Sequence, residues 1–358
     1  FCDVYTDVDD PEQKRYIDFM RAVDDYVARH CKKLVSRTLT FRGDNIEKQL
    51  VTGDGAGVHS VLPRAFVVPF FTAEGPDGRP VELFTPIGGC GGFDTVFSSP
   101  EALFPAISEL YEDLMRKCEG VYPDAGEKLC VLDPELSGIL AHEAVGHTTE
   151  ADLVLAGSVA GPNLNGQVAS PLVSMVDYAH TTPWGPAPIP LHVDDEGILC
   201  KDAVLIENGV LTGYMHNRES AAHFGVEPRG NARAFTFSDE PLIRMRNTAI
   251  LPGKDSLEAM IASVDDGYYL ARTSNGQADA TGEFTFTVIF GYEIKNGKLA
   301  RPLRDSTISG VAFEMLKTVD MVSGDMAWSC SGYCGKKQRM VVGMGGPALR
   351  CRVQIGGR

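Results

Sequence analysis

Two histidines five residues apart place the strongest constraint on how this sequence folds. Asp133-Pro134 has the residue types of a helix N-cap and first turn. The helix predicted there carries His142, Glu143 and His147. On a regular α-helix, positions i and i+5 lie about 140° apart, so their imidazoles cannot reach one metal ion. A π-bulge would bring both to one face, and Gly146 is placed to permit the unusual dihedral angles of such a bulge.

This His-Glu-x-x-x-His pattern has two interpretations. In the first it is a longer variant of the zincin pattern His-Glu-x-x-His, in which two histidines bind zinc and the glutamate acts as a base. In the second, His142 and His147 are hydrogen-bonded helix residues and Glu143 is a solvated surface charge. The helix residues by themselves leave both interpretations open.

Composition and charge exclude several classes of protein. Of the 358 residues, 44% are hydrophobic and 23% charged, which is typical of a folded globular chain. The net charge is −15 and no Lys/Arg-rich run is present, so nucleic acid is not expected as a partner. No apolar run approaches the roughly 18 residues of a membrane span, so none is expected. Nine cysteines without a CxxC pair do not form a disulfide framework, which favours the reducing cytoplasm.

The sequence predicts an α+β fold in two domains. In residues 1–127 we expect two amphipathic helices, the first beginning at Asp10-Pro11, together with antiparallel strands. Because the chain does not begin with Met, the start of this domain is expected to be incomplete. In residues 128–358, Asn208-Gly209 and Asn296-Gly297 each predict a hairpin. This second domain is expected to be mostly β and to contain the histidine helix.

The histidine segment and several later motifs resemble one known family. The run from His142 to Asp152 resembles the signature of the TldD/PmbA family of zinc peptidases, also described as modulators of DNA gyrase. Similar motifs follow in the family's order at 194–197, 205–209, 213–214, 230–233, 246–248, 252–253, 276–279 and 334–336. The resemblance begins near residue 35 and is stronger from His142 onward.

This resemblance implies a fold, a metal, an activity and a partner. TldD-like members carry the His-Glu-x-x-x-His motif, whereas PmbA-like members, also called TldE, lack it and act as non-catalytic partners. The implied zinc ligands are His142, His147 and Cys334, which leave the fourth tetrahedral position for water. Glu143 is then the general base. The implied substrates are unfolded or flexible peptides, and the implied assembly is a homodimer or a heterodimer with a motif-less relative.

Some positions near the motif leave the prediction open. The sequence has Thr148-Thr149 where many relatives have a glycine and an apolar residue, and Ala151 where a glycine is common, but Glu150 and Asp152 keep their places. Either acid is a candidate to orient a ligand imidazole, and either is equally an ordinary helix-surface acid. Cys330 competes with Cys334 as the sulfur ligand, although only Cys334 lies in the family-like Cys-Gly-Lys context.

Two other classes of function compete with the peptidase. One is a protein that keeps zinc for structure and acts as an assembly or regulatory partner. The other is a Cys-His hydrolase with Cys334 as the nucleophile, which leaves Glu143 without a role.

Further polar residues are weaker candidates. Asp194-Asp195-Glu196 has the composition of a solvated turn, or alternatively of a site for a second cation or a peptide amino terminus. Three arginines are candidates for holding a substrate carboxylate, namely Arg229, Arg233 and Arg246. Arginines in such positions more commonly form ion pairs on the surface. Four histidines have no ligand spacing and are expected to be structural or exposed: His180, His192, His216 and His223.

Overall fold

The computed structural model of the protein describes residues 11–356, which form two compact units. The first comprises the described residues up to Glu47 together with Val61–Glu119. The second comprises Lys48–Ser60 and the described residues from Gly120 onward. The domain boundary between residues 127 and 128 stays a prediction of the sequence.

The first unit combines helices with an antiparallel sheet. Its helices are α1 (Pro11–His30), α2 (Phe93–Val96) and α3 (Phe104–Cys118), with a 3₁₀ turn at Pro100–Leu103. The strands are β1 (Leu34–Val51), β2 (Gly57–Glu74), β3 (Pro80–Phe84) and β4 (Ile87–Cys90). The end of β1 from Lys48 and the start of β2 up to Ser60 are counted in the second unit. Strand β2 is central, because β1, β3 and β4 all pair with it. Helix α1 buries Phe19, Val23 and Val27 at four-residue spacing. The predicted cap at Asp10 lies outside the described residues.

The second unit is mostly β. Its helices are α4 (Pro134–Leu140), α5 (Ala151–Leu155), α6 (Arg218–Phe224), α7 (Leu257–Ala262) and α8 (Ala312–Lys317). Its strands are β5 (Gly126–Leu132), β6 (Met175–Tyr178), β7 (Thr181–Thr182), β8 (Gly185–Pro186), β9 (Ala203–Glu207), β10 (Val210–Leu211), β11 (Ala232–Arg233), β12 (Leu242–Ile243), β13 (Asn247–Ile250), β14 (Asp266–Ala278), β15 (Glu283–Lys295), β16 (Lys298–Pro302), β17 (Ser306–Val311), β18 (Met321–Ser329), β19 (Tyr333–Cys334), β20 (Met340–Val341) and β21 (Gly343–Gly356).

One large sheet organises the second unit. Its order is β10-β9-β6-β13-β21-β17-β15-β14-β5, with β16 added to β15 and β18 added to β21. Strand β5 also pairs with β21, so β5, β14, β15, β17 and β21 close into a ring. The two Asn-Gly hairpins are confirmed, since Asn208-Gly209 joins β9 to β10 and Asn296-Gly297 joins β15 to β16, all four residues with positive φ. The predicted α+β fold with a mostly β second part is confirmed.

Helix α4 packs directly on the sheet. Gly138 faces Gly345 of β21 so closely that a Cβ at Gly138 would lie 3.1 Å from the Gly345 nitrogen. Leu136 and Leu140 of α4 are fully buried. This packing fixes the direction in which the chain enters the histidine segment. Within the described residues, the helices are too short or too polar to cross a bilayer.

Candidate metal site

The histidine segment is a helix whose type changes twice. The Asp133 side chain accepts a hydrogen bond from the Leu136 amide at 2.7 Å, which confirms the predicted cap of α4. After α4, residues Ala141–Gly146 form a π-helix and His147–Thr149 form a 3₁₀ turn. The wider π turn takes up the additional residue between the two histidines. The distortion predicted from the five-residue spacing is therefore confirmed.

Gly146 is required for a different reason from the predicted one. Its φ of −55° and ψ of −52° are ordinary helical values, so the prediction that it supplies unusual dihedral angles is wrong. A Cβ at this position would instead overlap the sulfur of Met245 and lie 3.2 Å from the carbonyl oxygen of Ala141. Glycine lets the π turn lie against the buried Met245 side chain.

The structure brings His142, His147 and Cys334 together. One ligand atom from each of these residues lies within 4.8 Å of the other two. The two imidazole ring centres are 5.2 Å apart and their planes are nearly perpendicular, at 81°. The Cys334 Sγ lies 3.3 Å from the His147 Nε2. Among the described residues this is the one cluster of three or more His, Cys, Asp or Glu side chains with ligand geometry, and Cys330 is not part of it.

The chemistry of this cluster suits a metal ion. His142 is fully buried, and neither of its ring nitrogens has a hydrogen-bond partner among the described residues. A buried polar atom without a partner is costly, and a metal ion bound to the ring would satisfy it. Two imidazoles and one sulfur are a ligand set typical of zinc.

Charge within the cluster favours a thiolate. Burial raises the pKa of Cys334, but the imidazoles of His142 and His147 outweigh burial and lower that pKa to about 3. Burial lowers the pKa of His147, but Glu150 and Cys334 together raise it above its usual range. The sulfur is therefore ionised at neutral pH, which is the form that binds metals.

Glu143 lies beside the cluster and reaches solvent. Its Oε2 is 3.7 Å from the His147 Nε2, and 23% of its side chain is exposed. The neighbouring histidine, His142, is buried. The carboxylate is thus the group of the motif that water can reach most readily.

The structure separates the two acids that the sequence left open. The Glu150 Oε2 lies 2.9 Å from the His147 Nδ1. A carboxylate only accepts hydrogen bonds, so Nδ1 carries a proton, and Nε2 is the nitrogen that would present a lone pair to a metal ion. Asp152 does not orient a histidine, because its two oxygens bind the Lys336 ammonium at 2.8 Å and 2.6 Å.

Two cations near the cluster were missed by the sequence analysis. Lys336 appeared there as the last residue of the Cys-Gly-Lys motif, and its position two residues after Cys334 was the available signal. Arg244 gave no signal in the sequence. Its buried guanidinium donates to the carbonyl oxygens of Cys334 at 2.9 Å, Gln338 at 2.9 Å and Lys336 at 3.3 Å. Arg244 therefore fixes the backbone of the turn that carries the sulfur.

Arg229 is exposed, but the other two arginine candidates are buried rather than at the surface. Arg246 is fully buried and pairs with the buried Asp177, with 2.8 Å between the Arg246 Nε and the Asp177 Oδ2. Arg233 is also buried and donates to the carbonyl oxygens of Met245 and Val341 at 2.7 Å and 2.9 Å. Both hold buried backbone in place rather than making surface ion pairs.

The acidic turn is also structural. Asp194 is buried, and its side chain accepts from the amides of Glu196, Ile198 and Ala232 at 2.9 to 3.1 Å. Burial raises the pKa of Asp194 to about 6. The expected solvated turn is thus a turn closed by a buried aspartate.

Comparison with known proteins identifies the family. The family model of the PmbA/TldA metallopeptidase C-terminal domain matches residues 125–357. The chain is 34% identical over 329 residues to a metalloprotease of Methanothermobacter thermautotrophicus, covering 90% of this chain and 70% of that protein. It is 35% identical over 253 residues to the zinc metalloprotease TldD homolog of Saccharolobus solfataricus, covering 70% of this chain and 56% of that protein.

A solved structure has the same fold. TldE from Thermococcus kodakarensis superposes with a TM-score of 0.71 at 18% identity, covering 94% of this chain and 72% of that chain. At this identity the likeness concerns the fold alone. The match of the family model over well over half of the chain and the similarity to the two metalloproteases confirm the family that the motifs indicated. The chain belongs to the PmbA/TldD family of metallopeptidases.

Proposed function

We propose that this protein is a zinc-dependent peptidase that hydrolyses unfolded or flexible peptides. The observation that carries the proposal is a buried cluster of two imidazoles and one thiolate beside a partly exposed carboxylate. Three protein ligands with one open position are typical of catalytic zinc, whereas structural zinc has four. The name of the Saccharolobus relative, a zinc metalloprotease, supports the choice of metal.

The residues of the cluster have distinct roles in this proposal. Zinc held by His142, His147 and Cys334 would polarise the scissile carbonyl and acidify the attacking water. Glu143 takes a proton from that water on its carboxylate and passes it to the nitrogen of the leaving amine. Glu150 keeps the Nδ1 proton of His147 in place, so that Nε2 presents its lone pair to the metal.

Glu143→Gln separates metal binding from catalysis. The amide keeps the shape of the side chain but cannot accept the proton, so we expect about one zinc per chain and a loss of hydrolysis of at least 100-fold. Zinc is measured by elemental mass spectrometry and hydrolysis with a set of unstructured peptides. Hydrolysis at the native rate by this variant would refute the assigned base.

The ligand set has its own test. His147→Ala and Cys334→Ser are each expected to lower zinc occupancy, with Cys330→Ser as the matched control that retains it. Full occupancy in Cys334→Ser would refute the sulfur ligand. If the native protein held zinc through these residues and cleaved no unstructured peptide, a non-catalytic assembly or regulatory role would replace the peptidase.

A Cys-His hydrolase is the second candidate, favoured by the short distance between Cys334 and His147. The sulfur lies 3.3 Å from the imidazole nitrogen and is ionised, as a cysteine nucleophile requires. However, the Cys334 side chain is only 4% exposed, and this mechanism gives Glu143 no role. Chelation distinguishes the two, because it abolishes a zinc-dependent activity and spares a cysteine-dependent one.

We also propose a dimer, either of two copies or with a motif-less relative, and a cytoplasmic location. Both follow from the family resemblance and from the cysteine pattern of the sequence. Analytical ultracentrifugation of the purified chain, with and without a motif-less relative, tests the assembly. Fractionation of cells that express the tagged protein tests the location.

A further inference from the structure

Lys336 is a nearly buried cation next to the candidate metal site. Only 11% of its side chain is exposed. Its ammonium lies 2.8 Å and 2.6 Å from the two oxygens of Asp152, 3.1 Å from the carbonyl oxygen of Ile243 and 3.2 Å from the Glu150 Oε2. An ammonium has three donors, and the two Asp152 oxygens and the Ile243 carbonyl oxygen engage all three, so the contact with Glu150 is an ion pair.

The ion pair with Glu150 connects Lys336 to the ligand imidazole. Glu150 is fully buried, and its Oε2 faces both the His147 Nδ1 and the Lys336 ammonium. The other oxygen, Oε1, has no hydrogen-bond partner among the described residues. The orientation of this carboxylate therefore depends on two neighbours, the His147 imidazole and the Lys336 ammonium.

Lys336 and the sulfur ligand belong to one turn of the chain. Cys334 lies two residues earlier, and Arg244 holds the carbonyl oxygens of both residues. The turn therefore contacts His147 at both ring nitrogens: directly at Nε2 through the sulfur, and at Nδ1 through Lys336 and Glu150. A shift of this turn would change both contacts together.

We propose that Lys336 is a positioning residue of the metal site: by binding Glu150 from the turn that carries Cys334, it sets the placement of the His147 imidazole relative to the sulfur. This inference rests on the ligand set of the proposed function. If Lys336 had only a structural role, that role would depend on its ion pair with Asp152, whose side chain is 38% exposed.

The expected effect is a loss of metal affinity. Outer partners of metal ligands typically contribute about 10- to 100-fold to affinity. Lys336→Met keeps the length and apolar stem of the side chain and removes the charge, so we expect a loss in that range. Lys336→Arg keeps the charge and is expected to retain more affinity than Lys336→Met. Lys337→Met, at the adjacent exposed lysine, is the matched control and is expected to bind as the native protein does.

Cobalt titration provides a readout other than activity. Metal-free protein is titrated with Co²⁺ against a competing chelator, and the thiolate-to-cobalt charge-transfer band and the visible bands report the sulfur ligand and the coordination geometry. We expect Lys336→Met to weaken binding and to shift the visible bands. Native affinity together with a native spectrum in Lys336→Met would overturn the proposal.

Asp152→Asn distinguishes the route through Glu150 from the exposed ion pair. Native affinity in Asp152→Asn with a loss in Lys336→Met supports the route through Glu150, whereas an equal loss in both overturns it. If Lys336→Met does not fold, Lys336→Gln, which also removes the charge, decides instead, because a native affinity and spectrum in that variant would overturn the proposal. If the native protein bound cobalt without a thiolate band, the ligand set of the proposed function would be refuted. This result is distinct from a failure of the Lys336 proposal, which is seen only in the variants.

Discussion

Gly146→Ala tests whether the metal-binding turn depends on close packing against Met245. The added Cβ would fall well inside the 3.0 Å below which real Cβ atoms essentially never come, and the atom it meets is the Met245 sulfur. Met245 is fully buried, so its side chain has little room to move. Overpacking of this kind destabilises by about 1–3 kcal/mol. The higher helix propensity of alanine offsets about 1 kcal/mol of that loss.

A double-mutant cycle isolates this contact. In a Met245→Ala background the overlap is gone, so Gly146→Ala is expected to be neutral or stabilising by up to about 1 kcal/mol. The remaining close contact with the Ala141 carbonyl oxygen, at 3.2 Å, is the same in both backgrounds and cancels. We therefore expect a coupling energy of about 1–3 kcal/mol between the two substitutions.

The assay uses the position of the tryptophans. Both tryptophans of the chain, Trp184 and Trp328, lie in the second unit, so fluorescence during urea unfolding follows the unit that contains the site. Metal affinity is a second readout, because His147 follows Gly146 directly. We expect the affinity lost in Gly146→Ala to be partly restored in the double variant. If Gly146→Ala changed the free energy of unfolding equally in both backgrounds, to within about 0.5 kcal/mol, the reasoning would be refuted.

Two further predictions concern buried charge. Burial lowers the pKa of His216 to about 4, whereas the unfolded chain takes up a proton below about 6.5, so stability is lost as the pH falls from 6.5 towards 4. His216→Gln stays neutral, so the metal-free variant should show a smaller drop in Tm between about pH 7.5 and pH 5 than the native chain does. An equal drop in both proteins would contradict this assignment. Arg246→Met leaves the buried Asp177 without its cation and is expected to lower the free energy of unfolding by about 3–5 kcal/mol. Adding Asp177→Asn should recover part of that loss, and no recovery would show that the ion pair is not its source.

The local distortions of this fold could be predicted from the sequence because they depend on spacing or on residues next to each other. The five-residue spacing of the motif histidines requires a wider helical turn if both side chains are to meet, and the chain forms a π-helix there. The two Asn-Gly pairs require positive φ in tight turns, and both have it. Such features are decided within one element of secondary structure.

The partners that hold the site could not be predicted, because they come from distant parts of the chain. Glu150 and Asp152 are both acids near the motif, and the sequence could not show that Asp152 binds Lys336, which lies 184 residues after it. Gly146 was correctly placed at the bulge but for the wrong reason, since its neighbour Met245 is far away in sequence. Residue type and spacing carry no information about such contacts.

The buried arginines explain how a loop can hold a metal ligand rigidly in this unit. Backbone carbonyl oxygens outside helices and sheets need donors when they are buried, and the short strands around residues 230–250 and 330–342 provide few. A guanidinium carries five donors, and Arg233 and Arg244 direct theirs at carbonyl oxygens of these two stretches. The third candidate ligand, Cys334, lies in this region, whereas the two histidines lie on a helix. The position of the sulfur therefore depends on buried cations, so the metal site should be more sensitive to loss of Arg244 or Lys336 than to changes of surface charge elsewhere on this acidic chain.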